Sequence, residues 1–207
     1  MTITKEFLRG LGVMPVIVLE RIEDAVPVAK ALQQGGIKAV EITLRTPVAL
    51  DCIKAIKDGC DGLIVGAGTI VNRENVQQCT QAGVDFAVSP GLTDSLIKSA
   101  QDSGLDLLPG VATCSEVLQG IELGLNCFKL FPATAVGGIP LLKSIAGPLP
   151  QVSFCPTGGL TLDDFTSYLA LSNVACVGGS WLAPKHLVQQ QDWQALTDIA
   201  MDTMSRI

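Results

Sequence analysis

Short strand-like runs recur about every 20–25 residues along this chain, and each is followed by a segment of helical periodicity. The runs are VMPVIVL (13–19), AVEITLR (39–45), LIVGAGT (63–69), FAVSPG (86–91), DLLPGV (106–111), CFKLFPA (127–133), VSFCPTGG (152–159) and VACVGGS (174–180). Between them, segments such as DAVPVAKALQQGG, VALDCIKAIKDG and TCSEVLQGIELG carry apolar residues at helical spacing, and several end in glycine, the residue favoured just past a helix C-terminus. Strands alternating with helices must pair in parallel, through right-handed crossovers. Eight such units predict an α/β fold, a single (β/α)8 TIM barrel over residues 1–207, with a short amphipathic helix in MTITKEFLRGLG ahead of it. The rival is a doubly wound open sheet. That fold uses fewer strands and usually carries a glycine-rich fingerprint after the first one, where this chain has LERIEDA (19–25).

The formal net charge of −6 argues against a general binder of nucleic acid or membrane surfaces, so an anionic ligand must be held by local groups. VMPVIVL is too short and too proline-broken for a signal peptide or a membrane span. Seven cysteines, none spaced C-x-x-C and most in apolar surroundings, read as reduced buried thiols of a cytoplasmic protein rather than a disulfide or zinc framework. The single histidine, His186, excludes a histidine-rich metal site and reads as a surface residue.

Against this background a few polar residues break the apolar pattern. In CFKLFPA, Phe128 and Leu130 share one face of an extended segment, and Cys127, Lys129 and Phe131 the other. Neither face is polar, so Lys129 has no solvated side to reach. Desolvation disfavours an ammonium ion, and a lysine held this way becomes usable as a nucleophile. AVEITLR alternates cleanly, with Val40, Ile42 and Leu44 facing helices and Glu41, Thr43 and Arg45 facing inward. A Glu41–Arg45 pair that merely satisfies itself is the plain alternative, but burying both without a purpose is costly. At the end of LIVGAGT, the Thr69 hydroxyl can donate to a carbonyl or carboxylate. Ser89-Pro90-Gly91 is by itself only a turn signal.

The last two runs each finish in a glycine pair, PTGGL (156–160) and GGSW (178–181). Paired glycines let backbone N–H groups approach a ligand, and in (β/α)8 barrels these two loops often bind phosphate. Two tight turns are the structural alternative. Trp181, Trp193 and Leu196 read as packing residues, and GGIP (137–140) as the loop into the sixth helix.

EITLRTP (41–47), VGAGT (65–69), SPGL (89–92), FKLFPA (128–133), AGP (146–148), FCPTGG (154–159) and GGSWL (178–182) together resemble the 2-dehydro-3-deoxy-phosphogluconate (KDPG) aldolase family of the Entner–Doudoroff pathway. The stretches are in order and span nearly the whole chain. The resemblance implies a class I lyase on a (β/α)8 barrel, assembled as a homotrimer. It would cleave KDPG to pyruvate and glyceraldehyde 3-phosphate, and relatives also accept 4-hydroxy-2-oxoglutarate, giving pyruvate and glyoxylate. By position, Lys129 matches the Schiff-base lysine and Glu41 the general acid/base. Arg45 and Thr69 match pyruvate-binding residues, with Pro90 and Phe131 lining that pocket. Thr157 matches a residue near the reacting carbonyl, and Gly158, Gly159 and Ser180 match the phosphate site. Leu130 and Cys114 stand where other small or apolar residues are expected, and the chemistry does not depend on them.

This assignment requires no metal or organic cofactor, because an iminium on Lys129 is itself the electron sink for carbon–carbon cleavage. Its only partners would be a small phosphorylated keto acid and further copies of the chain, with no nucleic acid and no membrane. A phosphosugar isomerase or epimerase would share the barrel and use Glu41 as base without covalent catalysis. A non-catalytic phosphate-ligand binder would be expected to lack the nucleophile or the base, and both are present.

Overall fold

Each of the eight runs forms strand, in a computed structural model that describes residues 2–207. The strands are β1 (Val13–Ile17), β2 (Ala39–Thr43), β3 (Ile64–Gly68), β4 (Phe86–Val88), β5 (Leu107–Leu108), β6 (Gly110–Val111), β7 (Cys127–Leu130), β8 (Ser153–Pro156) and β9 (Val177–Gly179). Helices follow in turn: α1 (Lys5–Leu11), α2 (Ala25–Gln34), α3 (Ala49–Gly59), α4 (Arg73–Gln81), α5 (Asp94–Asp102), α6 (Cys114–Glu122), α7 (Gly138–Ala146), α8 (Phe165–Leu169), α9 (Lys185–Gln190) and α10 (Trp193–Ser205). Several of them start where a short polar side chain takes up a free backbone N–H. Thr4, Asn72, Thr93 and Asp192 each do so, and Thr113 forms a reciprocal capping box with Glu116.

All strand pairs are parallel. They form a curled six-stranded sheet in the order β5-β4-β3-β2-β1-β9 and a three-stranded sheet β6-β7-β8. This is an α/β fold, but the expected eight-stranded barrel is not one continuous sheet. Pro109 is the reason on one side. It has no N–H to give and divides the fifth run, so Leu107–Leu108 pair with β4 and Gly110–Val111 with β7. On the other side β8 meets β9 through two isolated parallel bridges, Phe154–Val174 and Thr157–Gly178.

Strand alternation sorts the side chains into two cores. Val40, Ile42, Phe128, Phe154 and Val177 face outward and pack with helix residues such as Leu32, Ile53, Leu142 and Leu196. A second cluster lines the inner faces, with Met14, Phe86, Val88, Leu108, Cys127, Cys155 and Cys176 packed on Leu8 and Leu11 of α1. The Phe86 ring fits only because Gly66 has no Cβ, which would otherwise fall on the ring. Phe7 of α1 meets Phe86 edge-on at 6.2 Å. The short N-terminal helix therefore plugs the inner space at the N-terminal ends of the strands. Polar chemistry is left to their C-terminal ends.

Among the described residues no helix is long and apolar enough to cross a membrane. Of the seven cysteines only Cys114 is exposed, and none is in a disulfide. Burial pushes the Cys79 thiol up to about 12 and that of Cys127 up to about 11, so both stay protonated and unreactive at neutral pH. His186 is exposed.

Candidate active site

Lys129 and Glu41 meet across the interior. β2 lies within the six-stranded sheet and β7 is the middle strand of the other, so the two are not sheet neighbours. Even so, Lys129 Nζ donates to Glu41 Oε1 at 3.2 Å and to Oε2 at 3.4 Å. The lysine side chain is 6% exposed and the glutamate side chain 1%. Glycine makes room for this pair, because a Cβ on Gly68 would fall on Oε1 of Glu41. Lys129 Nζ also sits 5.3 Å from the centroid of the Phe131 ring. A self-satisfied Glu41–Arg45 pair does not form. The carboxylate faces the one buried lysine among the described residues, with a hydrophobic floor below it.

Arg45 is exposed, and its Nε donates to the Thr69 hydroxyl at 3.3 Å. Thr69 has φ +65, a left-handed conformation that a β-branched residue rarely takes and that clusters at functional sites. That strain turns the chain at the end of β3 and leaves the hydroxyl beside the guanidinium. Pro90 is exposed after β4, and its carbonyl packs so closely on Gly110 that a Cβ there would collide with it. Gly110 in turn pairs with Lys129 in the ladder, which sets Pro90 one strand away from the amine. Inward-facing Thr43 is buried and structural, its hydroxyl donating to the Ile17 carbonyl at 3.0 Å.

The turn after β8 has an unusual peptide arrangement. The Thr157 carbonyl accepts from Ala133 N–H at 2.8 Å, and the Gly158 carbonyl from Thr134 N–H at 3.1 Å. In an extended strand successive carbonyls alternate sides. Here φ values of +100 at Gly158 and +86 at Gly159 let both turn toward the segment after β7. The N–H of each trans peptide points opposite its carbonyl, so the N–H groups of Gly158 and Gly159 both turn toward β9. On that side the Thr157–Gly178 bridge places Gly178, Gly179 and exposed Ser180. The bridge engages the Gly158 N–H with the Gly178 carbonyl, whereas the Gly159 N–H donates to no acceptor among the described residues. A free backbone N–H in a left-handed turn of this kind is the sort of donor from which a concave anion-binding nest is built. Thr157 itself is buried, and a Cβ on Gly178 would fall on its hydroxyl oxygen.

Glu41 and Lys129 lie inside β2 and β7, and Arg45, Thr69, Pro90, Phe131, Thr157, Gly158, Gly159 and Ser180 lie just beyond the C-terminal ends of their strands. Gly68 and Thr134 were not singled out in the sequence. The signal for Gly68 was present, since Gly66 and Gly68 share one strand face and must leave space for large neighbours. Another cleft, of about 570 Å³, opens among Thr4, Gln101, Asp106 and Asn126 at the opposite strand ends, but no lysine lines it. Among the described residues no three His, Cys, Asp or Glu side chains group as a metal site.

Comparison with known proteins points the same way. The family model described as "KDPG and KHG aldolase" matches residues 4–199. The chain is 47% identical to the KHG/KDPG aldolase of Escherichia coli over 93% of its length and 90% of the relative's. A Legionella pneumophila KDPG aldolase structure, with pyruvate captured at low pH as a covalent carbinolamine intermediate, superposes with a TM-score of 0.94 at 43% identity, covering 97% of this chain and 98% of that one. A Zymomonas mobilis 2-keto-3-deoxy-6-phosphogluconate aldolase with 3-phosphoglycerate gives 0.89 at 45% identity, covering 96% and 94%.

Proposed function

This chain belongs to the KDPG and KHG aldolase family, a family of carbon–carbon lyases, and from that premise we propose that it cleaves KDPG to pyruvate and glyceraldehyde 3-phosphate through a Schiff base on Lys129. We extend the reading to cleavage of 4-hydroxy-2-oxoglutarate to pyruvate and glyoxylate. The observation that carries it is the contact of Lys129 with Glu41 at 3.2 Å, almost wholly removed from water.

Glu41 can take a proton from the amine, which frees Lys129 Nζ to attack the substrate ketone. The resulting carbinolamine loses water once Glu41 returns a proton to its hydroxyl. The iminium at C2 then draws in the electrons of the C3–C4 bond, forming the C2–C3 enamine, as Glu41 removes the proton from the C4 hydroxyl. Glyceraldehyde 3-phosphate leaves, and the enamine on Lys129 is protonated and hydrolysed to pyruvate. Arg45 and Thr69 hold the substrate carboxylate, Phe131 and Pro90 line that end, and Thr157 lies near the reacting carbonyl. The phosphate rests on the N–H of Gly159 and on Ser180, at the turn that Gly158 makes. No cofactor enters the cycle.

We also take the two sheets as one (β/α)8 barrel. What supports this is that run 106–111 pairs in both sheets, and the two bridges join β8 to β9. On the family resemblance, the single domain of residues 1–207 works as a homotrimer in the cytoplasm.

The direct test is pyruvate release from KDPG and from 4-hydroxy-2-oxoglutarate by the purified protein. Release from neither would overturn the proposal. Two variants resolve the substrate's ends. Arg45→Lys keeps the charge but loses the planar fork, so the pyruvate concentration needed for half-maximal condensation should rise about tenfold. Unchanged saturation would remove Arg45 from the carboxylate role. Ser180→Asp sets a like charge beside the phosphate and should harm KDPG cleavage far more than 4-hydroxy-2-oxoglutarate cleavage. Equal loss on both substrates would place the phosphate elsewhere.

A further inference from the structure

The Gly158 carbonyl takes two hydrogen bonds, both from one residue. Thr134 gives its backbone N–H at 3.1 Å and its hydroxyl at 3.2 Å. The same side chain packs against the next glycine, where a Cβ on Gly159 would fall on Thr134 Oγ1. Thr134 therefore fixes the orientation of the 158–159 peptide and demands glycine at 159. Because the carbonyl is pulled toward Thr134, the N–H of Gly159 is driven the other way, toward Gly178 and Ser180.

We propose that Thr134 is a positioning residue for the substrate phosphate, aiming the Gly159 N–H into the anion nest and so setting the preference for phosphorylated over unphosphorylated keto acids. This rests on the phosphate site proposed above, which Thr134 itself does not touch. Without the hydroxyl, the peptide keeps a single bond to the Thr134 backbone and can rock, blurring the donor geometry that a phosphate reads. 4-Hydroxy-2-oxoglutarate ends in a carboxylate at C5, short of the C6 oxygen that carries the KDPG phosphate, so it should depend less on that donor. Thr134 is exposed and valine has nearly its shape, so Thr134→Val should fold normally.

The test compares Thr134→Val and Thr134→Ser with the unaltered protein on KDPG and 4-hydroxy-2-oxoglutarate. One neutral hydrogen bond corresponds to a rise of about two- to tenfold in the KDPG KM relative to that for 4-hydroxy-2-oxoglutarate, with kcat for KDPG within about twofold. Inorganic phosphate should weaken as a competitive inhibitor by a similar factor. Thr134→Ser keeps the donor and should restore both. If the two KM values rise equally, or serine fails to rescue, Thr134 acts only as packing and the proposal falls. Should Ser180→Asp discriminate between the substrates while Thr134→Val leaves their KM ratio unmoved, the phosphate site stands and this proposal alone is overturned. Equal loss on both substrates in Ser180→Asp overturns the phosphate site and the proposal with it.

Discussion

Lys129→Ala should lower KDPG cleavage by more than about 10⁴-fold and abolish the adduct that borohydride traps from pyruvate, because the covalent step has no substitute nucleophile. Lys129 is the only buried lysine among the described residues. Lys54, Lys98 and Lys143 are exposed on α3, α5 and α7, away from any carboxylate held as Glu41 is. The unaltered protein should gain one reduced pyruvate per chain, on the peptide containing CFKLFPA. Mapping the adduct to any of the three exposed lysines would sink the mechanism and leave Lys129 as half of a buried ion pair. The variant also strands Glu41 without its partner. Losing one member of a buried pair costs about 3–5 kcal/mol when the other stays charged. Far-UV circular dichroism and a thermal melt therefore belong beside the activity assay. A folded, inactive Lys129→Ala protein separates loss of chemistry from loss of structure.

How far this site could be read from sequence varied with the physics involved. The inward placement of Glu41 and Lys129 follows from strict two-residue alternation, and it survives because each neighbour on the opposite face is a core residue. Strand ends were harder. VMPVIVL, FAVSPG and VSFCPTGG keep their apolar or small-residue pattern past the point where the ladder stops at Ile17, Val88 and Pro156. Side-chain pattern reports burial, whereas a ladder needs backbone partners, and the chain turns away to build the site. Pro109 could have been seen as a ladder breaker, since a proline inside a strand cannot donate. The left-handed Thr69 was not legible, because nothing local calls for positive φ in a threonine and tertiary contacts must hold it there. Thr134 carried no pattern at all. Its role depends on a carbonyl 24 residues away.

Glu41→Gln separates proton transfer from covalent bond formation. Glutamine keeps the size of the side chain and the space that Gly68 leaves for it, but it can neither accept a proton from Lys129 nor return one to a departing hydroxyl. Removing a general acid/base of this kind lowers turnover by about 10²- to 10⁴-fold. Cleavage should fall by that factor on both KDPG and 4-hydroxy-2-oxoglutarate, because both pass through the same carbinolamine and the same aldol hydroxyl. Trapping should respond differently. The amine is still present 5.3 Å from the Phe131 ring, and with pyruvate in excess slow iminium formation needs only solvent to carry the protons. Borohydride should therefore still mark Lys129, over a longer time. Comparing the rate of adduct formation with the rate of pyruvate release decides the matter. If both fall together to nothing, Glu41 serves mainly to position the amine. If turnover is hardly changed, another group moves the protons, and the contact at 3.2 Å is an ion pair and no more.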